Sequence, residues 1–145
     1  MEIKKVLQSE KADAMSLTWD VFLEFEAYDY VREGIDEFYN FINGNYINTL
    51  EIYGAYENRK IIGIIATRNE GNHIALFFVD GKYHRQGIRR KLFEEVLKNS
   101  TSEIITVNSS PYATAVYHRL GFVDTDKEQT KEGMRFTPMK YQKRA

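Results

Sequence analysis

Apolar residues along the chain switch between extended and helical spacing, and the switches mark out its elements. Residues 2–6 read as a short edge strand. Ala12, Met15, Trp19 and Phe22 then recur three and four residues apart, one stripe of an amphipathic helix, with Ser9 placed to cap its start. A second short helix is expected over about 35–42, after Gly34, closed by the turn Asn43-Gly44-Asn45. Two apolar runs follow, 50–56 and 61–67, and the polar Glu57-Asn58-Arg59-Lys60 between them reads as a hairpin loop. A third strand is expected at 73–79, beyond Glu70-Gly71-Asn72. Ile88, Leu92 and Val96 restore helical spacing from Gly87 to about Lys98. The run 104–107 is again a strand. Pro111 suits a first helical position with Ser110 as cap, and Gly121 ends that helix. Two last strands, 122–125 and 134–139, flank a charged loop.

This order predicts one mixed α/β (α+β) sheet of about seven strands flanked by about four helices. The 145 residues fit a single domain over 1–145, long enough to bury one core. Hydrophobic residues at 43% and aromatic residues at 14% agree with a packed globule, and the aromatics suggest a cleft as well as a core. Without cysteine there is no disulfide, thiolate nucleophile or Cys-based zinc site. His73, His84 and His118 lack metal-ligand spacing, and Ser109 and Ser110 lack a G-x-S-x-G setting, so neither a metal site nor a serine hydrolase is expected. No stretch approaches the roughly 20 apolar residues that span a bilayer, and no apolar leader follows the first residues, so a soluble, cytoplasmic protein with no membrane partner is expected.

The net charge of −1 argues against nucleic acid as partner, but the charge is unevenly spread. Asp20, Glu24, Glu26, Asp29, Glu33, Asp36 and Glu37 are opposed only by Arg32, whereas Lys82, Arg85, Arg89, Arg90 and Lys91 crowd one turn. That turn joins the strand ending Phe77-Phe78-Val79 to the helix opening at Gly87. A helix start has free backbone N–H groups and a dipole that favours anions, and glycine lets a ligand approach the backbone. The turn therefore reads as an anion site, for pyrophosphate. It carries neither G-x-G-x-x-G nor G-x-x-x-x-G-K-[ST] spacing, so the anion belongs to another kind of cofactor. A basic, solvated helix face is the plainer alternative.

A second constellation lies in Ile104 to Phe122, where a strand ending in Asn108 precedes a helix that places Tyr117 four residues before Gly121. Together the two segments resemble the GNAT superfamily of acetyl-CoA-dependent N-acetyltransferases. The family's turn pattern, Q/R-x-x-G-x-G/A, falls on His84-Arg85-Gln86-Gly87-Ile88-Arg89, and its tyrosine helix on Tyr117 with Leu120-Gly121-Phe122. The chain departs from the pattern at His84, at Arg89 in place of a small residue, and at Gly81 where many members carry proline.

The resemblance implies a fold with a splayed central strand pair. It also implies acetyl-CoA as cofactor, held by Phe78, Val79, His84, Arg85, Gln86, Gly87, Ile88, Arg89, Arg90, Asn108 and Tyr117, the pantetheine arm pairing with the strand around Phe78 and Val79. It further implies transfer of the acetyl group directly to a primary amine on a small molecule or peptide, with Tyr117 protonating the departing thiolate and a backbone N–H near Val79 polarising the carbonyl. Glu26 and Asp29 are candidates for the acceptor site and for the base that takes the amine's proton; neither is assigned. Homodimer formation is allowed. Two other classes stay open: a non-catalytic acyl-CoA-binding sensor or regulatory module, and a nucleic-acid-binding domain using residues 82–91.

Overall fold

A computed structural model describes residues 1–143. Its elements are β1 (Glu2–Lys5), α1 (Lys11–Val21), α2 (Arg32–Asn43), β2 (Glu51–Glu57), β3 (Lys60–Arg68), β4 (His73–Val79), α3 (Ile88–Asn99), β5 (Ile104–Ser109), α4 (Thr114–Leu120), β6 (Val123–Asp124), β7 (Gln129–Lys131) and β8 (Met134–Gln142). The strands form one sheet in the order β1-β2-β3-β4-β5-β8-β6, and β7 joins it through β8. All pairings are antiparallel except β4 with β5. Among the described residues no helix is long and apolar enough to cross a membrane.

The sheet separates two cores. Leu92, Phe93 and Val96 of α3 pack with Tyr117, Phe122 and the β-strand residues Ile65 and Ile105 on one face. Phe22, Phe38 and Ile42 pack with Ile64, Leu76 and Phe78 on the other. Successive strand side chains point to opposite faces, which is why Phe77 packs with the first core and Phe78 with the second. The hairpin between β2 and β3 is tighter than its four polar residues suggest. Asn58 and Arg59 both have positive φ, at 51° and 68°, as a two-residue type I′ turn requires.

Several expectations need correction. Helix α1 starts two residues after Ser9, and it is the Glu10 carboxylate that accepts the Leu7 N–H, at 3.1 Å. Its buried stripe is Ala14, Met15, Thr18 and Val21, with Ala12 exposed. Gly34 lies inside α2, not before it. A Cβ there would stand 2.2 Å from the Gly133 carbonyl oxygen, so the glycine allows backbone to touch backbone between α2 and the β7–β8 turn. The sheet gains an eighth strand because residues 129–131 of the charged loop pair with β8. Ser110 does cap, but it accepts the Ala113 N–H at 3.2 Å in a turn that precedes α4, which begins only at Thr114.

Candidate active site

Strands β4 and β5 pair only at His73 with Thr106 and at Ile74 with Val107. The next residue, Ala75, is an extra one against β3, since Thr67 faces Ile74 and Ala66 faces Leu76. Such a bulge bends its strand and ends pairing, and beyond it β4 and β5 diverge. The expected splay thus has a local cause. Register decides what faces the gap. Phe78 stands opposite Ile64, and Asp80, two residues on, donates its N–H to the Ile62 carbonyl at 2.8 Å. Antiparallel pairs alternate, so Phe78 also bonds to β3, while Phe77 and Val79 turn their N–H and C=O groups toward the gap. Phe78, expected to meet the arm, thus turns its backbone to β3 and keeps a buried side chain in the lining of the cleft, while Phe77 and Val79 turn their backbone to the gap.

The basic turn closes one end of the gap. The His84 Nε2 lies 2.7 Å from the Val79 carbonyl oxygen, a distance that requires Nε2–H to donate. That bond ties the turn to the strand end and leaves the Val79 N–H as the free group. Burial lowers the His84 pKa, partly offset by the Val79 carbonyl, which favours the neutral ring. The Arg89 guanidinium, 3.2 Å from the same nitrogen, meets a donor and is a packing neighbour there, not a hydrogen-bond partner. Arg85 and Gly87 have left-handed backbones, φ 65° and 80°. A Cβ on Gly87 would meet nothing within 4 Å, so the space above the start of α3 is open to a ligand. Ile88 is buried and offers only its backbone N–H. Val79, Tyr83, Arg85, Arg90 and, beyond the expected set, Arg119 line this cleft, of about 230 Å³. Arg90 donates to the Arg119 carbonyl at 3.1 Å, which links the turn to the end of α4. Gln86 donates to the Lys82 carbonyl and stays exposed.

A larger cleft of about 330 Å³ opens on the other side of the gap. Glu26 and Tyr117 line both it and the narrow passage toward the basic turn. Glu26 ends a π-helical turn, Phe22–Glu26, that continues α1; such turns are frequent at functional sites. Its side chain is buried, and burial pushes its pKa up to about 7, with the Ser110 hydroxyl and the Arg89 charge acting the other way and the Asp29 charge adding to the rise. Tyr117 is 5% exposed, and burial, with the Glu26 charge, holds its phenol well above the usual tyrosine range and protonated. Asn108 lies exposed at the edge of the cleft, on β5.

Asp29, the other acceptor-site candidate, stands apart from the lining of the larger cleft. Its carboxylate faces the Arg135 guanidinium at 4.0 Å. Outside the expected set, Arg119 lines the cleft at the basic turn, Tyr112 the narrow passage and the β7–β8 hairpin the larger cleft. Arg119 stands two residues after Tyr117 in the same helix, the one signal that might have marked it. Among the described residues no three His, Asp or Glu side chains group to hold a metal ion.

Residues 26–143 match the sequence model of the acetyltransferase (GNAT) domain. Solved structures with the same fold include a GCN5-related N-acetyltransferase from Rhodopseudomonas palustris, with a TM-score of 0.84 and 16% identity over 97% of this chain and 94% of that one. The PaiA N-acetyltransferase of Thermoplasma acidophilum, solved in complex with coenzyme A, has a TM-score of 0.72 and 16% identity over 98% and 99%. A GNAT family acetyltransferase of Elizabethkingia anophelis with acetyl-CoA bound has a TM-score of 0.63 and 19% identity over 97% of each chain.

Proposed function

Because the chain belongs to the GNAT family of acetyltransferases, we propose that it transfers the acetyl group of acetyl-CoA directly to a primary amine, with Glu26 as base and Tyr117 as general acid. The observation that carries this reading is that Glu26 and Tyr117 line the same passage, at the point where the basic turn and the larger cleft meet. One raised carboxylate and one protonated phenol on a common passage suit proton removal and proton donation at a single reacting centre. A binding module needs neither.

The residues fit a CoA thioester. The open space over Gly87 and the free N–H groups of the first turn of α3 suit a pyrophosphate, among the Arg85, Arg90 and Arg119 charges. The gap-facing backbone of Phe77 and Val79 suits the amides of the pantetheine arm. Acetyl-CoA supplies an activated acyl group, and the protein's residues do the rest. Glu26 accepts a proton from the acceptor's ammonium, whose unperturbed pKa of about 10.4 keeps it non-nucleophilic in water. The Val79 N–H, aimed into the gap, donates to the carbonyl oxygen as its charge grows. As the N–C bond forms and the C–S bond breaks, Tyr117 gives its proton to the sulfur; the acylated nitrogen then loses its second proton to the Tyr117 oxygen, and Glu26 releases the first to water. Free CoA and an acetamide leave.

Acetyl-CoA at about 100 times its dissociation constant should stabilise the fold by roughly 2.7 kcal/mol, read as a rise in melting temperature. Gly87→Ala and Gly87→Glu both place a Cβ at positive φ and should each cost about 1–2 kcal/mol of stability without ligand. Only the Glu variant also sets a negative charge over the phosphate cradle, and its ligand-induced rise should vanish. A Glu variant that folds and keeps the full rise would place the cofactor elsewhere. Arg89 lines both the passage and the phosphate cleft, so its charge acts on bound phosphate from the inner side. Arg89→Gln should weaken acetyl-CoA binding more at low salt than at high salt. Tighter binding by that variant would mean that the side chain obstructs the passage.

A further inference from the structure

With the β4–β5 gap allotted to the arm of acetyl-CoA, the rest of the larger cleft is left to the acceptor. Its walls come from three elements. Phe22 belongs to the turn after α1, Phe38 and Phe41 to α2, and Met134 and Phe136 to β8, with Tyr30 between. Phe22 stacks on Phe38 at 4.1 Å and on Tyr30 at 5.6 Å, a continuous aromatic wall. The buried carboxylate in this lining is Glu26. The other charges of the lining are exposed or, for half-buried Arg135, already paired. Glu37, Lys131 and Glu132 are exposed, and both the Nε and Nη2 groups of Arg135 are already held by the Glu128 carboxylate, at 3.0 and 3.2 Å.

Resting on the acetyltransferase reading, we infer that the acceptor is a small monoamine with an apolar, ring-bearing or branched body. A buried charge must be paired, and one buried carboxylate accommodates one ammonium. A second ammonium on a linear polyamine would lie among aromatic and thioether side chains, or at an exposed rim carrying both signs, where charge pairs contribute little. An apolar body instead gains from every ring it covers. The cleft is also walled against a peptide main chain. Helix α2 and the β7–β8 turn meet backbone to backbone at Gly34 and Gly133, which closes the space between these two elements at that point.

The test uses the full chain with saturating acetyl-CoA, reading thiol release and the N-acetylated product by mass spectrometry. The acceptors are 2-phenylethylamine, 3-methylbutylamine, 1,4-diaminobutane, spermidine and a lysine tripeptide blocked at its α-amine. kcat/KM for the first two should exceed that for the other three by roughly tenfold or more, the discrimination an apolar pocket gives for a few carbon atoms. The double variant Glu37→Gln, Glu132→Gln should leave this ratio unchanged. A diamine or peptide used as well as the apolar monoamines, or a preference that moves with the rim carboxylates, overturns the inference and leaves acetyl transfer standing. If no amine is acetylated, the acetyltransferase reading falls and the inference falls with it.

Discussion

Replacing Tyr117 by Phe is expected to lower turnover by roughly 10²- to 10⁴-fold, about 3 to 5 kcal/mol of barrier, while acetyl-CoA binds almost as before. The ring packs with Phe77 at 5.9 Å and edge-on to Phe122 at 5.2 Å, and phenylalanine keeps both contacts. What it loses is the hydroxyl. Burial keeps that phenol protonated across the working pH range, so the variant removes a proton that is always available to the thiolate. Steady-state rates and cofactor affinity on both proteins separate the roles. Retained binding with a large loss of rate supports the acid. Unchanged turnover, with chemistry limiting, would make Tyr117 a packing residue, and lost binding in a folded protein would make its hydroxyl a cofactor contact.

Glu26→Gln should cost a similar factor in turnover and should also remove a limb of the pH profile. A base must be deprotonated, so the wild-type rate should rise with pH through about 7, where Glu26 ionises, and level off above. The variant's residual rate should show no such rise. Stability moves the other way. The folded protein holds the Glu26 proton at pH values where the unfolded chain has already lost it, so the contribution of this group to stability falls as pH increases from the ordinary carboxylate range to about 7. Gln cannot ionise, and the variant should melt higher than the wild type above pH 7. A less stable variant at pH 8 with an intact acid limb would show that Glu26 serves the fold and not the reaction.

The basic turn and the tyrosine helix were legible because both follow from local chemistry. Gly87 and its cationic neighbours mark a helix start whose chemistry suits an anion, and Gly121 with its φ of 109° fixes the helix end that positions Tyr117. Helical spacing also gave the buried face of α3 through Ile88, Leu92 and Val96. The gap was legible only through the family resemblance. Its cause, the extra residue Ala75, sits inside the unbroken apolar run Ile74-Ala75-Leu76-Phe77-Phe78-Val79, where alternation is invisible. The same run hid which residues face the gap, since backbone direction depends on pairing with β3. Glu26 and Asp29 were equals in sequence, three residues apart in an acidic stretch. Folding separates them, sending one into the cleft beside Ser110 and the other to Arg135. The wall of the larger cleft was the least legible part, because residues 131–136 reach it only by pairing of β7 and β8 within a charged loop.

Direct transfer is tested most plainly by following the acetyl group itself. Acetyl-CoA carrying an isotopically labelled acetyl group is incubated with the protein and 2-phenylethylamine at pH 8, and CoA, free acetate, labelled acetamide and protein mass are measured together. One labelled acetamide should form for each CoA released, with no label left on the protein. CoA released with free acetate and no acetamide, or acetyl-CoA bound tightly but left intact with every amine of the panel, would contradict the account.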